Sequence, residues 1–259
     1  MPTTTFLYHT EAVGASGHIS VPVVDTMPLQ ASVASAISAG SAKVRVDNFK
    51  HLDYLTVGLI ESHVVSSFSA KDQAHGTMAS VLIEDLSTLN VVTCDRLMTR
   101  LTSKHDDNGN GEASFILHGT HFDNLRIAGQ QLDLNLAVGL FSELSTWTKL
   151  TEAYEGDIGI RTEIDGLAFY KSEDGKLPVR NGIFGCTLAT IPEKLPRGMS
   201  RKNHGIYVPH FGTIYAAEYY ITPTSRRLRM LHVDLGCSVE GCNGFGDTGA
   251  NGAGYPGSA

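Results

Sequence analysis

Apolar and polar residues alternate along most of the chain with β-branched enrichment, the period of half-buried strands. This pattern predicts strands over 3–12, 17–24, 54–68, 76–84, 90–102, 113–118, 122–136, 183–191, 212–222 and 226–235. In LRIAGQQLDLNL, for example, Leu132, Leu134 and Leu136 share one face while Asp133 and Asn135 point the other way, as a pleated strand requires. So many strands and so little helical periodicity make an all-β fold, an antiparallel β-sandwich or barrel.

Two stretches break the period. From Val138 to Tyr154, Phe141, Leu144, Trp147, Leu150 and Tyr154 recur every three or four positions, which predicts one amphipathic helix. Asn135 is placed to start it and Gly156 to stop it. The Ala/Ser-rich stretch 31–43 reads as a surface loop with one turn of helix. The expected organisation is therefore a single β domain from 1–137 and 206–236, an insertion over 138–205 with that helix, and a Gly-rich tail over 237–259. The tail, GCSVEGCNGFGDTGANGAGYPGSA, is expected to be irregular. Ordering each glycine costs roughly 1–2 kcal/mol of backbone entropy, and only Phe245 and Tyr255 offer burial in return. If it is ordered, these two are its expected anchors, held by a partner chain, an ion or a Cys237–Cys242 bridge.

Composition narrows the function. The hydrophobic content of 42% is enough for a core. A net charge of -7 gives no basic footprint for a phosphate backbone, so nucleic acid is excluded as the expected partner. The run SRRLRM places Arg226, Arg227 and Arg229 where the solvent face of a strand is the simplest reading. No stretch reaches the eighteen apolar residues of a membrane span, and MPTTTFLYHTEAV lacks the charged start and apolar run of a signal peptide. The expectation is a cytoplasmic chain as it stands, extracellular if a leader has been removed. Cys94 and Cys186 lie in apolar surroundings, as inert buried thiols do. Cys237 and Cys242 are close enough to bridge, with free thiols or a metal site needing further ligands as the alternatives.

Two groups of residues suggest ions. In KHDDNGNGEAS, Asp106, Asn108 and Asn110 stand at positions one, three and five of a calcium loop, Gly111 at six, and Glu112 at seven. Position twelve is Leu117 where a bidentate Glu belongs, and the flanks read as strands. A hairpin turn explains all of these residues except the adjacent aspartates. His118 and His121, together with His204 and His210, are the best histidine set, and a third ligand from His210 or Glu218 would complete a zinc-like or iron-like site. His118 and His121 share a face only if the backbone bends near Gly119. No cofactor is predicted beyond these alternatives of calcium or a transition metal. Tyr207, Phe211, Tyr215, Tyr219 and Tyr220 are dense enough for either core or recognition surface, and core is the ordinary outcome. GFGDTG meets the letter of a dinucleotide fingerprint without the helix that should follow.

Four blocks, VVDTMPL at 23–29, ASVLIEDLSTLNVVTCDRLMTRLTSK at 79–104, FDNLRIAGQQLDL at 122–134 and YVPHFGTIYAAEYYITPTSRRLRMLHVDLG at 207–236, resemble in sequence and order the bacterial choice-of-anchor P domain proteins and related uncharacterised β-rich proteins. The resemblance implies an extracellular-type β domain of unknown role and carries over no catalytic residue. With no complete catalytic constellation, the expected function is a non-enzymatic structural or binding module that self-associates as a homo-oligomer. The alternative is a metal- or small-ligand-binding enzyme with a histidine-lined pocket.

Overall fold

The computed structural model describes residues 5–22, 24–106, 112–172, 174–236 and 239–255. The chain opens with long strands: β1 (Thr5–Val21), β2 (Asp25–Ala34), β3 (Gly40–His51), β4 (Leu55–Ser69), β5 (Ala74–Thr88) and β6 (Val92–Asp106). Short ones follow, β7 (Ser114–Ile116), β8 (His121–Asp123), β9 (Arg126–Ile127), β10 (Gln130–Gln131) and β11 (Asn135–Leu136). Three helices come next, α1 (Val138–Glu143), α2 (Trp147–Gly156) and α3 (Ile158–Leu167). The remainder is β12 (Val179–Arg180), β13 (Ile183–Thr187), β14 (Ala189–Thr190), β15 (Ser200–Lys202), β16 (Gly205–Val208), β17 (Gly212–Ile221), β18 (Ser225–Leu235) and β19 (Glu240–Tyr255).

Among the described residues these strands make two large antiparallel sheets and a small third one in which β11 pairs with β14. The first runs β12-β13-β17-β18-β19-β1-β2, with β16 on β17 and β15 on β16. The second runs β10-β9-β6-β5-β4-β3, with β7 and β8 also on β6. Neither closes on itself, so the all-β fold is a sandwich and not a barrel. Ile60, Val81, Ile83, Leu97 and Leu101 from one sheet and Ala12, Leu228, Leu231, Val233 and Phe245 from the other are fully buried in the core. Cys94 and Cys186 are buried too, and burial pushes both thiols up, Cys94 to about 12.

A transverse line crosses each sheet where the inward–outward alternation resets. In the first sheet it passes through Ala217, Met230, Gly246, Gly14 and Ala31, each at a break between paired residues of neighbouring strands. Ala217, Gly246 and Ala31 there have positive φ, at 53°, 64° and 46°. In the second sheet it passes through Asn48, Gly58, Asp85 and Asp95, with Asn48 and Asp85 at positive φ. Glycine is needed where the sheets come closest. A Cβ on Gly14 would stand 2.0 Å from Ile60 Cγ2, and one on Gly246 would stand 2.7 Å from Leu97 Cδ2. Beyond the line the faces exchange parity, which decides what points to solvent on β17, β18 and β19.

Several expectations are corrected. The Gly-rich segment is not irregular: β19 is an inner strand, paired along its length with both β1 and β18. Phe245 is fully buried, as an anchor should be, while Tyr255 pairs with Thr5 at the strand end. Long side chains from neighbouring strands cover its glycines, with Arg229 over Gly244 and Glu11 over Gly249. The stretch 31–43 is the end of β2, a connection over 35–39 and the start of β3, with no helical turn.

The single helix expected over 138–154 is broken. Ser145 gives its carbonyl to the Phe115 amide, and Thr146 caps α2 by accepting from the Lys149 amide. Its stripe still faces inward through Phe141, Leu150 and Tyr154. Asp157 then caps α3 through the amides of Gly159 and Ile160. β13, in the middle of the expected insertion, joins the first sheet beside β17. Finally, Arg226 is not on the solvent face. It is buried, donates to the carbonyls of Thr222 and Ser225, and lies 4.6 Å over the Phe115 ring.

Candidate metal centre

The reset at Ala217 turns Glu218 to the outer face of the first sheet, beside Tyr215. There Glu218 is nearly fully buried because the hairpin of β15 and β16 brings His204 over it. Its carboxylate joins two imidazoles, Oε1 at 3.0 Å from His204 Nε2 and Oε2 at 3.0 Å from His232 Nδ1. Burial would raise the Glu218 pKa, but these two bonds hold it down at about 2.

His232 and Asp234 share the outer face of β18, two residues apart, and Asp234 stands opposite Cys242 on β19. His232 Nε2 lies 3.0 Å from Asp234 Oδ1 and 3.0 Å from Cys242 Sγ. Burial alone would lower the His232 pKa. The bonds to Cys242 and Glu218 outweigh it and lift the value to about 10. Among the described residues, His232, Asp234 and Cys242 are the group whose possible ligand atoms converge, all within 4.8 Å of one another. Three half-buried donors of nitrogen, oxygen and sulfur type are a ligand set that zinc and related borderline cations accept.

Glu218 has the position of an outer-sphere partner. A ligating histidine almost always donates its other ring N–H to a carboxylate, a backbone carbonyl or water, which fixes tautomer and ring orientation. Aromatic rings support the cluster: His204 stacks on Phe169 at 3.8 Å, Tyr215 lies 4.7 Å from His204, and it lies 5.1 Å from His232.

The sites expected from sequence are placed differently. His121 lies on β8 of the second sheet, bonding the Gly119 carbonyl at 2.8 Å and standing 3.5 Å from Asp123. His118 is exposed in the turn before it, and His210 is exposed at positive φ in the turn between β16 and β17 of the first sheet. These three histidines are not the group that converges. Of the calcium loop, Asp106 ends β6, and Asn108 and Asn110 lie outside the described residues. Glu112 is engaged elsewhere. It accepts from the Thr148 amide at 2.9 Å and the Thr148 hydroxyl at 2.7 Å, so its carboxylate caps α2. Burial would raise its pKa, and these bonds lower it. β6 and β7 pair antiparallel on either side of the segment, which is the arrangement a turn requires. Cys237 lies outside the described residues, and Cys242 is a free thiol.

His204 and Glu218 belong with the histidine set expected from sequence, whereas His232 and Asp234 lie outside it. The signal available was HVD at 232–234, a two-residue spacing that puts both side chains on one face of a strand.

Residues 6–173 match the family model described as a domain of unknown function (DUF8256), and the chain belongs to that family. No curated protein and no solved structure matches it. His204, Glu218, His232, Asp234 and Cys242 all lie beyond the matched residues. So does β19, the strand on which β1 of the matched region pairs.

Proposed function

We propose that this DUF8256 member is a metal-binding β-sandwich module whose ion is held on the outer face of the first sheet by His232, Asp234 and Cys242. The observation that carries this reading is the convergence of Nε2, Oδ1 and Sγ, backed by Glu218 on the far nitrogen of the same ring. Zinc-type bonds of about 2.0–2.3 Å let such atoms share one ion, and three protein donors leave a fourth position for water or an external ligand. The thiolate favours zinc, cobalt or iron over calcium or magnesium.

Cys242, His232 and Glu218 also stand in the order nucleophile, base and orienting acid. Asp234 favours the metal reading instead. A carboxylate 3.0 Å from the same Nε2 competes with the thiol for the base, whereas it serves a cation as a third donor.

The test is a cobalt titration of chelator-stripped protein. Stoichiometric binding with a thiolate-to-cobalt charge-transfer band is expected, and Cys242→Ser should remove the band and weaken binding. Absence of saturable binding in the wild type, or a Cys242→Ser variant with the band intact, refutes the proposal.

A further inference from the structure

We infer that the external ligand of this centre is a small oxyanion, a carboxylate or a phosphate, held between the ion and the guanidinium of Arg229. The inference rests on the metal-binding reading above and adds the class of ligand.

Outer-face side chains form a row along β18 and β19. Asp247 pairs across the strands with Arg229, yet its carboxylate is committed to Arg227. Arg227 takes both oxygens, Nε to Oδ1 at 2.8 Å and Nη2 to Oδ2 at 2.6 Å. Such a bidentate pair is the strong form of this interaction. Glu11, over Gly249 on the far side, adds further negative charge at Arg227. Arg229 is left with one longer contact, Nη2 to Asp247 at 3.2 Å. Its Nε is buried without a hydrogen-bond partner. A buried donor left unpaired costs about 1–3 kcal/mol, so this atom is a place where an acceptor would be favoured.

The position of that guanidinium links it to the metal ligands. Arg229 lies over Gly244, where an added Cβ would meet its Nε at 3.3 Å and its Cζ at 3.7 Å. Gly244 is the register partner of His232 and lies two residues from Cys242 on the same face. Arg229 Nε stands 3.3 Å from the Cβ position of Gly244, and Cys242 lies two residues, roughly 7 Å, further along the strand. The Cys242 side chain, the ion and one oxyanion together cover that span, with one oxygen on the ion and another on the guanidinium. A Cβ at Gly244 would make a tight contact with Arg229, which would have to give by a few tenths of an ångström.

The surroundings suit an anion with an organic body. Arg229 also lines a depression of about 340 Å³ that it shares with Ile183, Tyr220, Thr222, Ser225 and Arg227. A ligand anchored by its anionic group at Arg229 would lay its remainder against Ile183 and Tyr220.

The experiment uses the full chain loaded with cobalt, titrated separately with acetate and with inorganic phosphate while the visible cobalt spectrum is followed. A saturable spectral change with at least one anion is expected, and which anion acts at lower concentration identifies the source. Arg229→Ala should weaken that anion at least tenfold while leaving cobalt affinity unchanged, and Arg229→Lys should fall between. Gly244→Ala, which crowds the guanidinium, should weaken the anion in the same way. If cobalt binds but neither anion perturbs the spectrum, or if Arg229→Ala binds the anion as the wild type does, the oxyanion inference is overturned and the metal centre stands. If cobalt does not bind at all, the metal-binding reading fails first and this inference falls with it.

Discussion

His232 Nδ1 stands 3.0 Å from Glu218 Oε2, and this contact turns the opposite ring nitrogen toward Cys242 and Asp234. Glu218→Gln keeps an acceptor but removes the charge, and Glu218→Ala removes both. Outer-sphere substitutions of this kind cost about 10–100-fold in metal affinity. Competition with a chelator should show a loss in that range for Glu218→Gln and a larger one for Glu218→Ala. Unchanged affinity in both would mean that Glu218 does not orient the ring.

Ala217, with φ of 53°, sets the face on which Glu218 emerges. A β-branched residue tolerates this backbone poorly, whereas glycine accepts it. Ala217→Val should lower stability by about 1–2 kcal/mol and weaken cobalt binding, while Ala217→Gly should bind cobalt as the wild type does. Denaturant unfolding and cobalt titration of the two variants measure this. A valine variant with both properties intact would show that the reset does not depend on this position.

The inner position of β19 predicts that deleting residues 240–259 abolishes cooperative unfolding, because β1 and β18 would each lose their shared partner. Phe245→Ala, at a fully buried position, should cost about 3–5 kcal/mol. Thermal melts of both variants test this. A truncated chain that still melts cooperatively would contradict the sheet order.

Glu112 caps α2 through both donors of Thr148. Glu112→Ala should cost about 1 kcal/mol, the usual effect of losing a cap. That loss should be the same with and without millimolar calcium. A calcium-dependent rise in melting temperature that disappears in Glu112→Ala would restore the ion-binding reading of this loop.

His105 is buried, its ring 5.0 Å from Phe6. Burial holds its pKa down at about 4, and the charge of His75 adds to this while Asp106 opposes it. As pH falls below 6.5 the unfolded chain takes up a proton that the folded chain refuses until about 4. The contribution of His105 is therefore complete above 6.5 and is lost across that window. Melting temperature should drop between pH 6.5 and 4, and His105→Phe should make the drop smaller. An identical pH profile in the variant would remove His105 as a cause.

Part of this molecule follows from local pattern. Period-two alternation gave the all-β class and located β4, β5, β6, β17 and β18 closely, because one face of each strand packs on the core and the other does not. Phe141, Leu150 and Tyr154 were legible as a buried stripe for the matching helical reason. The broken helix was less so. The capping atoms that interrupt it include a β7 amide brought in from elsewhere in the chain.

The tertiary structure alone decided the rest. β19 carries almost no hydrophobic period, since its glycines are covered by side chains belonging to β18 and β1, so its burial is written in other strands. Positive-φ residues aligned across neighbouring strands reverse which face each residue takes, a cooperative effect that no single strand reveals. His204, Glu218, His232 and Cys242 come from separate elements, and a candidate ligand set exists only once β17, β18 and β19 lie side by side. Chain period determines what each strand can bury, and strand order and register determine which polar groups meet.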